Sequence, residues 1–436
     1  MKTLILDGSR ANDPQAVNIA NALRKHLPDA ETIALREQKI GNCAGDFFCW
    51  VRSPGMCNTD DDNRLIAAKI IQSDLVVYLT PVTFGGYSFE LKRMVDHGIQ
   101  NISPFFANIH GEIHHQKRYK RYPNLLVVGW MDSPNPQAEA IFRHLVHRNA
   151  VNLHAKTSVC GLVIGRQPEA DLDSQTESWL EAIAHGSSSP APALPTQTFS
   201  STYHAPIKRA VLLVGSPRTR KSTSNSLGAY LYEQLQTRGV ETQTIQIYTS
   251  LNSQERMKTL LDSIDRADLV VLAFPLYVDA LPAPVTDALE RIAAHRRDNP
   301  SPARFAAISN CGFPEASHNA PALAICAEFA RQSGLTWMGG LALGAGQGIV
   351  HGAPLNELDG RAIPIKKSLE LAAEALSNGQ PIPQSARDLL ATPIIPHWMY
   401  TLMGKYGWRQ RAKGYGAQKM LKRQPYLQEK SHVKDI

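Results

Sequence analysis

Three short segments gather residue types that could hold an anion beside a flat ring. The first reads Gly215–Ser216–Pro217–Arg218–Thr219–Arg220–Lys221–Ser222–Thr223–Ser224–Asn225, between an apolar run and a helical pattern. Hydroxyls, an arginine and free backbone N–H groups at a helix start make a site for a phosphate dianion. No glycines recur in the loop after Gly215, so it is neither a dinucleotide fingerprint nor a P-loop. Ser216, Arg218, Ser222, Thr223 and Ser224 instead suit the phosphate of a mononucleotide, with FMN the leading candidate. Read without a ligand, the same residues are an N-cap beside solvated cations. The second segment, Pro275–Leu276–Tyr277–Val278, and the third, Asn310–Cys311–Gly312–Phe313, each follow a strand-like run. A proline stiffens the exit from a strand, and an aromatic with backbone groups can flank a ring system. Cys311 is read either as a neighbour of that ring or as a buried small residue.

A weaker copy of these segments lies near the start of the chain. Asp7–Gly8–Ser9–Arg10–Ala11–Asn12–Asp13–Pro14 keeps Ser9 and Arg10 but puts Asp13 where a phosphate charge would sit, which repels an anion. Pro81, Val82, Thr83, Phe84 and Gly85 repeat the proline-led ring loop, so the spacing leaves open whether one or two FMN bind.

The elements that must position these loops also repeat. Gly8–Ser9 aligns with Gly215–Ser216, and Ser73–Asp74–Leu75–Val76–Val77 with Ala267–Asp268–Leu269–Val270–Val271. Between those marks the first half is about thirteen residues longer, and its cysteine-rich segment lies in that interval. Gly186 to Pro206, rich in Ser, Pro, Ala and Thr and free of charge, has linker composition. Strands are expected at Thr3–Leu6, Glu31–Leu35, Leu75–Thr80, Leu125–Trp130 and Ser158–Ile164. The second half repeats them at Ala210–Val214, Thr242–Ile247, Leu269–Phe274, Arg304–Ser309 and Thr336–Leu343. Near-continuous apolar strands alternating with helical stretches predict an α/β fold with two tandem doubly wound five-stranded parallel sheets. Such sheets bind ligands beyond the carboxyl ends of their strands. The expected domains are 1–185 with a cysteine-containing insertion, a linker at 186–206, a ligand-binding domain at 207–377, and a basic aromatic extension at 378–436.

Composition narrows the classes. Hydrophobic residues at 43% and charged residues at 19% exclude a disordered or low-complexity chain. The opening residues lack the apolar core of a signal peptide, no run approaches a membrane span, and six cysteines are too few for a disulfide scaffold. A cytoplasmic globular protein is expected. The net charge of +7 weighs against an acidic electron carrier that docks on basic partners.

Both halves resemble the NAD(P)H-dependent FMN reductase superfamily, whose members have the flavodoxin-like fold. The second half carries GSPR…STSNS, FPLYVDALP and NCGFPE. The first carries TPVTFGGYSFELKRMVD and the segment Gly41–Cys57. The resemblance spans most of residues 1–376. It implies bound FMN with ring contacts at the third and fourth loops, NAD(P)H as co-substrate and hydride donor, and an active site built across an interface. Two fused copies would then form that interface within one chain, the first half serving as a wall over the second half's flavin.

In iron-sulfur flavoproteins, which the first half also resembles, a compact set of four cysteines at this place holds a cluster. Here Cys43, Cys49 and Cys57 remain, and Asp46 stands in the place of a further cysteine, short of four-Cys ligation. A non-metallated lid, with Cys49 and Trp50 packing over the site, is expected, and no metal is assigned. His110, His114 and His115 have metal-like spacing but are equally explained by an exposed polar loop. The tail from Ile394 to Tyr426 interleaves aromatics with cations and is expected to fold back on the domains. A membrane is not expected as a partner, nor is nucleic acid, and assembly with like chains is left open. The leading expectation is hydride transfer through flavin to a small acceptor such as a quinone, free flavin or nitro compound. The rivals are a flavodoxin-type electron carrier and a non-catalytic flavin-binding regulator.

Overall fold

The computed structural model describes residues 1–196, 199 and 205–427. The first half contains β1 (Thr3–Asp7), α1 (Pro14–His26), β2 (Glu31–Ala34), α2 (Phe48–Val51), α3 (Asn63–Gln72) and β3 (Leu75–Pro81). It continues through α4 (Phe89–Asp96), β4 (Ile102–Ile109), β5 (Glu112–Lys117), β6 (Asn124–Met131), α5 (Pro136–Asn152), β7 (Ser158–Ile164) and α6 (Glu169–Ala184). The second half opens with β8 (Arg209–Val214), α7 (Thr223–Gln236), β9 (Glu241–Gln246), α8 (Ile247–Ser250), α9 (Gln254–Asp265) and β10 (Leu269–Pro275). Then come α10 (Ala283–Asp298), β11 (Arg304–Asn310), α11 (Ala320–Gln332), β12 (Thr336–Leu343) and the single turn α12 (Gly346–Ile349). Three helices close the chain: α13 (Ile363–Ser377), α14 (Gln384–Ala391) and α15 (His397–Gly414).

Each half is a five-stranded parallel sheet of one topology. The orders are β2-β1-β3-β6-β7 and β9-β8-β10-β11-β12, the flavodoxin-like arrangement. Residues such as Leu4, Val76, Leu126, Leu212, Val271 and Ala306 are buried because helices cover both sheet faces. All ten expected sheet strands are present, with ends that shift by a residue.

The expected polar loop before β6 is instead an antiparallel hairpin, β4–β5, pairing Ile109 with Glu112 and Ala107 with His114. Its turn places His110 (φ 53°) and Gly111 (φ 91°) in the left-handed region, as a two-residue hairpin requires. The linker's first residues run beside β7, where the Ser189 N–H donates to the Ser158 oxygen at 2.8 Å. Residues 197, 198 and 200–204 of the expected linker lie outside the described residues.

The halves are joined through a common core. α4 packs on α10, and α5 on α11. In the repeat α4 corresponds to α10 and α5 to α11, so each helix meets its own counterpart, as across a two-fold axis. One hydrophobic cluster runs through Leu91, Met94, Ile141 and Leu145 of the first half into Leu289, Ile325 and Phe329 of the second. α14 packs on α13 and β12, whereas α15 crosses to the first half and packs on β4 and α2. The basic tail therefore folds back.

Candidate functional site

The loop after β8 turns through Thr219–Lys221 into α7. Ser222 is the N-cap, its Oγ accepting from the Asn225 N–H at 3.1 Å. Ser216, Ser222, Thr223 and Ser224 are buried. The N–H groups of Thr223 and Ser224 lie at the open end of α7, beyond the reach of any intrahelical carbonyl. Ser222 Oγ also donates to the Thr219 oxygen at 2.6 Å. The donors left for a phosphoryl group are therefore the Ser216, Thr223 and Ser224 hydroxyls and the N–H groups at the start of α7, which fit the tail of a mononucleotide. Asn310 on β11 ties this loop to its neighbours, donating to Ser224 Oγ at 2.9 Å and to the Phe274 oxygen at 3.0 Å.

The ring loop after β10 is a tight turn in which the Tyr277 and Ala280 N–H groups donate to each other's carbonyls at 2.9 and 3.1 Å. Val278 (φ 46°) and Asp279 (φ 58°) both take left-handed backbone, a strained state for a β-branched residue. Its restraints come from the first half. Asn149 Nδ2 donates to the Val278 oxygen at 3.1 Å, Asn152 Nδ2 donates to the Asp279 carboxylate, and Arg148 Nε lies 3.6 Å from Asp279 Oδ1. Lys92 Nζ, also from the first half, donates to the Tyr277 oxygen at 2.9 Å.

Above this loop lies the cysteine segment. Gly45 (φ 60°) sits where a Cβ would overlap the Tyr277 hydroxyl, so the absence of a side chain is what lets the two halves meet. Arg218 reaches from the phosphate loop to donate to the Gly45 oxygen and lies over the Phe47 ring. Burial holds the Tyr277 phenol well above its ordinary pKa. Cys49 and Trp50 are buried beneath the segment.

A set of rings continues the cover. Phe47 stacks on Trp50 at 5.2 Å, and Trp408 of α15 meets both edge-on. Trp50 touches His115 of the hairpin at 4.5 Å, and His115 touches Phe313 of the edge loop at 5.1 Å. Burial pushes the His115 imidazole down to about 3, so it stays neutral. The Tyr400 hydroxyl of α15 donates to the Gly312 oxygen. Cys311 is buried, its thiol 3.4 Å from the Phe313 oxygen.

The matching loop of the first half is already satisfied. Asp13 Oδ1 accepts from the Gln15 and Ala16 N–H groups at 2.9 and 3.2 Å, and Oδ2 accepts from Trp130 Nε1 at 3.1 Å. A carboxylate thus holds the helix start where a phosphate would sit. Arg10 pairs with Glu290 of the second half at 2.7 Å, and the Ser9 hydroxyl accepts from Arg36 at 3.1 Å. Pro81, Val82 and Thr83 are half-buried at the end of β3, while Phe84 packs on Phe329 at 5.2 Å and Gly85 lies against Ile141. This ring loop faces the other half's helices.

Of the three histidines with metal-like spacing, His110 is exposed in the hairpin turn and His115 joins the rings. His114 lies with Glu112 and His318, their candidate ligand atoms within 4.8 Å of one another. Arg148 stands among them, pairing with Glu112 and donating to His318 Nδ1 at 2.8 Å, so a guanidinium supplies the positive charge there.

Cys43, Cys49 and Cys57 line a cavity of about 30 Å³ with Asp46 and His97. Asp46 Oδ1 accepts from the Phe48 N–H at 2.9 Å and is thereby engaged. Cys57 Sγ lies 3.6 Å from His97 Nδ1. Burial pushes the Cys57 thiol up, but the His97 hydrogen bond and charge bring it below the usual range. Burial pushes Cys43 up to about 12 and holds Cys49 well above its ordinary value.

The hairpin and α15 were missed as site elements. His110–Gly111 lacks the Asn-Gly or Asp-Gly pair that marks such a turn, and only the glycine hints at its left-handed backbone. The inward rings of α15 have no such local mark.

Two flavodoxin-like sheets, joined through α4 on α10 and α5 on α11, define the fold class. The profile of the family described as NADPH-dependent FMN reductase matches residues 1–112 and 209–346, more than half of the chain, which belongs to that family. An iron-sulfur flavoprotein of Methanocaldococcus jannaschii is 32% identical over 76 residues, 17% of this chain and 38% of the relative. The chain therefore spans well under half the length of that curated relative. Similar solved structures include a flavone reductase (TM-score 0.31, 14% identity, 41% of this chain and 70% of that one). An NAD(P)H:quinone oxidoreductase from Methanothermobacter marburgensis has a TM-score of 0.30 at 14% identity, covering 40% of this chain and 96% of its own.

Proposed function

We propose that the chain is an FMN-dependent oxidoreductase that takes a hydride from NAD(P)H and passes electrons to a small acceptor, a quinone, free flavin or nitro compound. FMN, when bound, supplies the exchange between two-electron and one-electron chemistry. The second half's loops would hold it: Ser216, Arg218, Thr223 and Ser224 at the phosphate, Ser222 capping α7 beside them, with Pro275–Val278 and Asn310–Phe313 along the ring. The first half serves as wall and cover, through Gly45, Phe47 and Trp50.

The observation that carries this reading is the asymmetry of the two phosphate loops. One keeps buried hydroxyls and open N–H groups at α7, and the other is filled by Asp13. It supports one FMN per chain. Free thiols at all six cysteines suit the cytoplasm.

The test is to record the visible spectrum of the purified protein and add NADPH without oxygen. A yellow protein that bleaches within seconds and regains colour on adding a quinone is expected. A colourless protein that takes up no added FMN overturns the reading.

A further inference from the structure

α15 is apolar on two sides. Its inner side carries Tyr400, which reaches Gly312, Gly404 against Phe106, and Trp408 in the ring cluster. Its outer side exposes Trp398 (71%), Leu402 (62%), Met403 (51%) and Tyr406 (66%). At about 100° per residue, Trp398, Leu402 and Tyr406 form one ridge, and Lys405 and Lys413 continue the same side toward the C-terminus with Arg409, whose exposed guanidinium also lies 5.8 Å over the Phe105 ring. An apolar first half and a basic second half therefore share one open face.

Charge says what would cover it. Residues 389–428 hold seven Lys and Arg and no Asp or Glu, while the whole chain has 46 cations against 39 acids. The rest of the chain thus carries 39 of each sign and is neutral, so the entire net charge of +7 sits on this segment. A second copy of the chain would bring the same cations face to face, which opposes self-association.

We infer that the outer face of α15 docks on an anionic lipid surface. Trp398, Leu402, Met403 and Tyr406 enter the boundary between headgroups and acyl chains, and Lys405, Arg409 and Lys413 meet lipid phosphates. The helix lies on the bilayer and does not cross it: among the described residues no helix is long and apolar enough to span a membrane. This inference is independent of the flavin reading.

The experiment uses the full chain with vesicles of phosphatidylcholine alone or mixed with phosphatidylglycerol. Sedimentation with the mixed vesicles, little with the neutral ones, and release by salt are expected. The variant W398S/L402S/Y406S should bind mixed vesicles about tenfold more weakly or worse with an unchanged circular dichroism spectrum, since these side chains are exposed. K405E/R409E/K413E should abolish binding. Failure of the full chain to sediment with mixed vesicles, or equal sedimentation by the serine variant, overturns the proposal. So does concentration-dependent dimerisation removed by L402E, which would give this face to a second copy. Saturable competition by a protein partner for the same residues would overturn it too.

Discussion

Lys92 of the first half donates to the main-chain oxygen of Tyr277 in the second, across the interface between the two sheets. The same ammonium pairs with Asp96 one turn along α4, and Asp96 Oδ2 accepts from the Ala283 N–H at 2.9 Å, at the start of α10. Both side chains are buried, so this ion pair fixes the ring loop and a helix start together. Removing one partner of a buried pair leaves an uncompensated charge and costs about 3–5 kcal/mol. Lys92→Met should lower the free energy of chemical denaturation by that order. The double variant K92M/D96N should recover most of it, and equal loss in both variants would mean that the charges do not act as a pair.

Stoichiometry follows from Asp13. Titration with FMN should saturate at one per chain, because the Asp13 carboxylate already occupies the start of α1. Arg218→Ala and Ser224→Ala should each weaken FMN by about tenfold, the loss of about 1.5 kcal/mol expected for a hydrogen bond to a charged group. Fluorescence quenching reads both. Two FMN per chain in the parent protein would contradict the filled first loop.

The contact between Gly45 and Tyr277 can be pried apart. Gly45→Ala adds a Cβ that overlaps the phenol and strains a left-handed backbone. FMN dissociation, followed by stopped flow, should accelerate several-fold, with only a modest fall in thermal midpoint because the segment lies at the surface of the core. An unchanged off-rate would show that this contact does not retain the ligand.

Cys43, Cys49 and Cys57 should react in a set order. Burial raises Cys57, but the His97 hydrogen bond and charge together with hydrogen bonds from Thr59 bring it below its ordinary value, whereas burial dominates at Cys43 and Cys49. The thiolate is the nucleophile, so iodoacetamide at about pH 7 should modify Cys57 first, as read by peptide mass. Its rate should fall as pH drops through a midpoint lying below the thiol's ordinary value. His97→Asn should move that midpoint upward, and a first hit on Cys43 would contradict the assignment.

The sheets were legible because burial on both faces writes each strand as an apolar run, from Thr3–Leu6 to Thr336–Leu343. Asp13 was legible as a misplaced charge. The interface was not: Lys92, Asp96, Asn149 and Asn152 look like ordinary helix-surface residues until the other half is laid against them. The ring set had the same difficulty, since Trp50, His115, Phe313 and Trp408 are scattered across both halves and share no spacing.

Fusion into one chain has an evolutionary consequence. In an assembly of two identical subunits, every substitution appears twice, so a change that improves the cover over one pocket also alters the pocket beneath the other. Here the copies answer to different demands. A carboxylate holds the start of α1 while hydroxyls line the start of α7, so each copy's loop can change without altering the other.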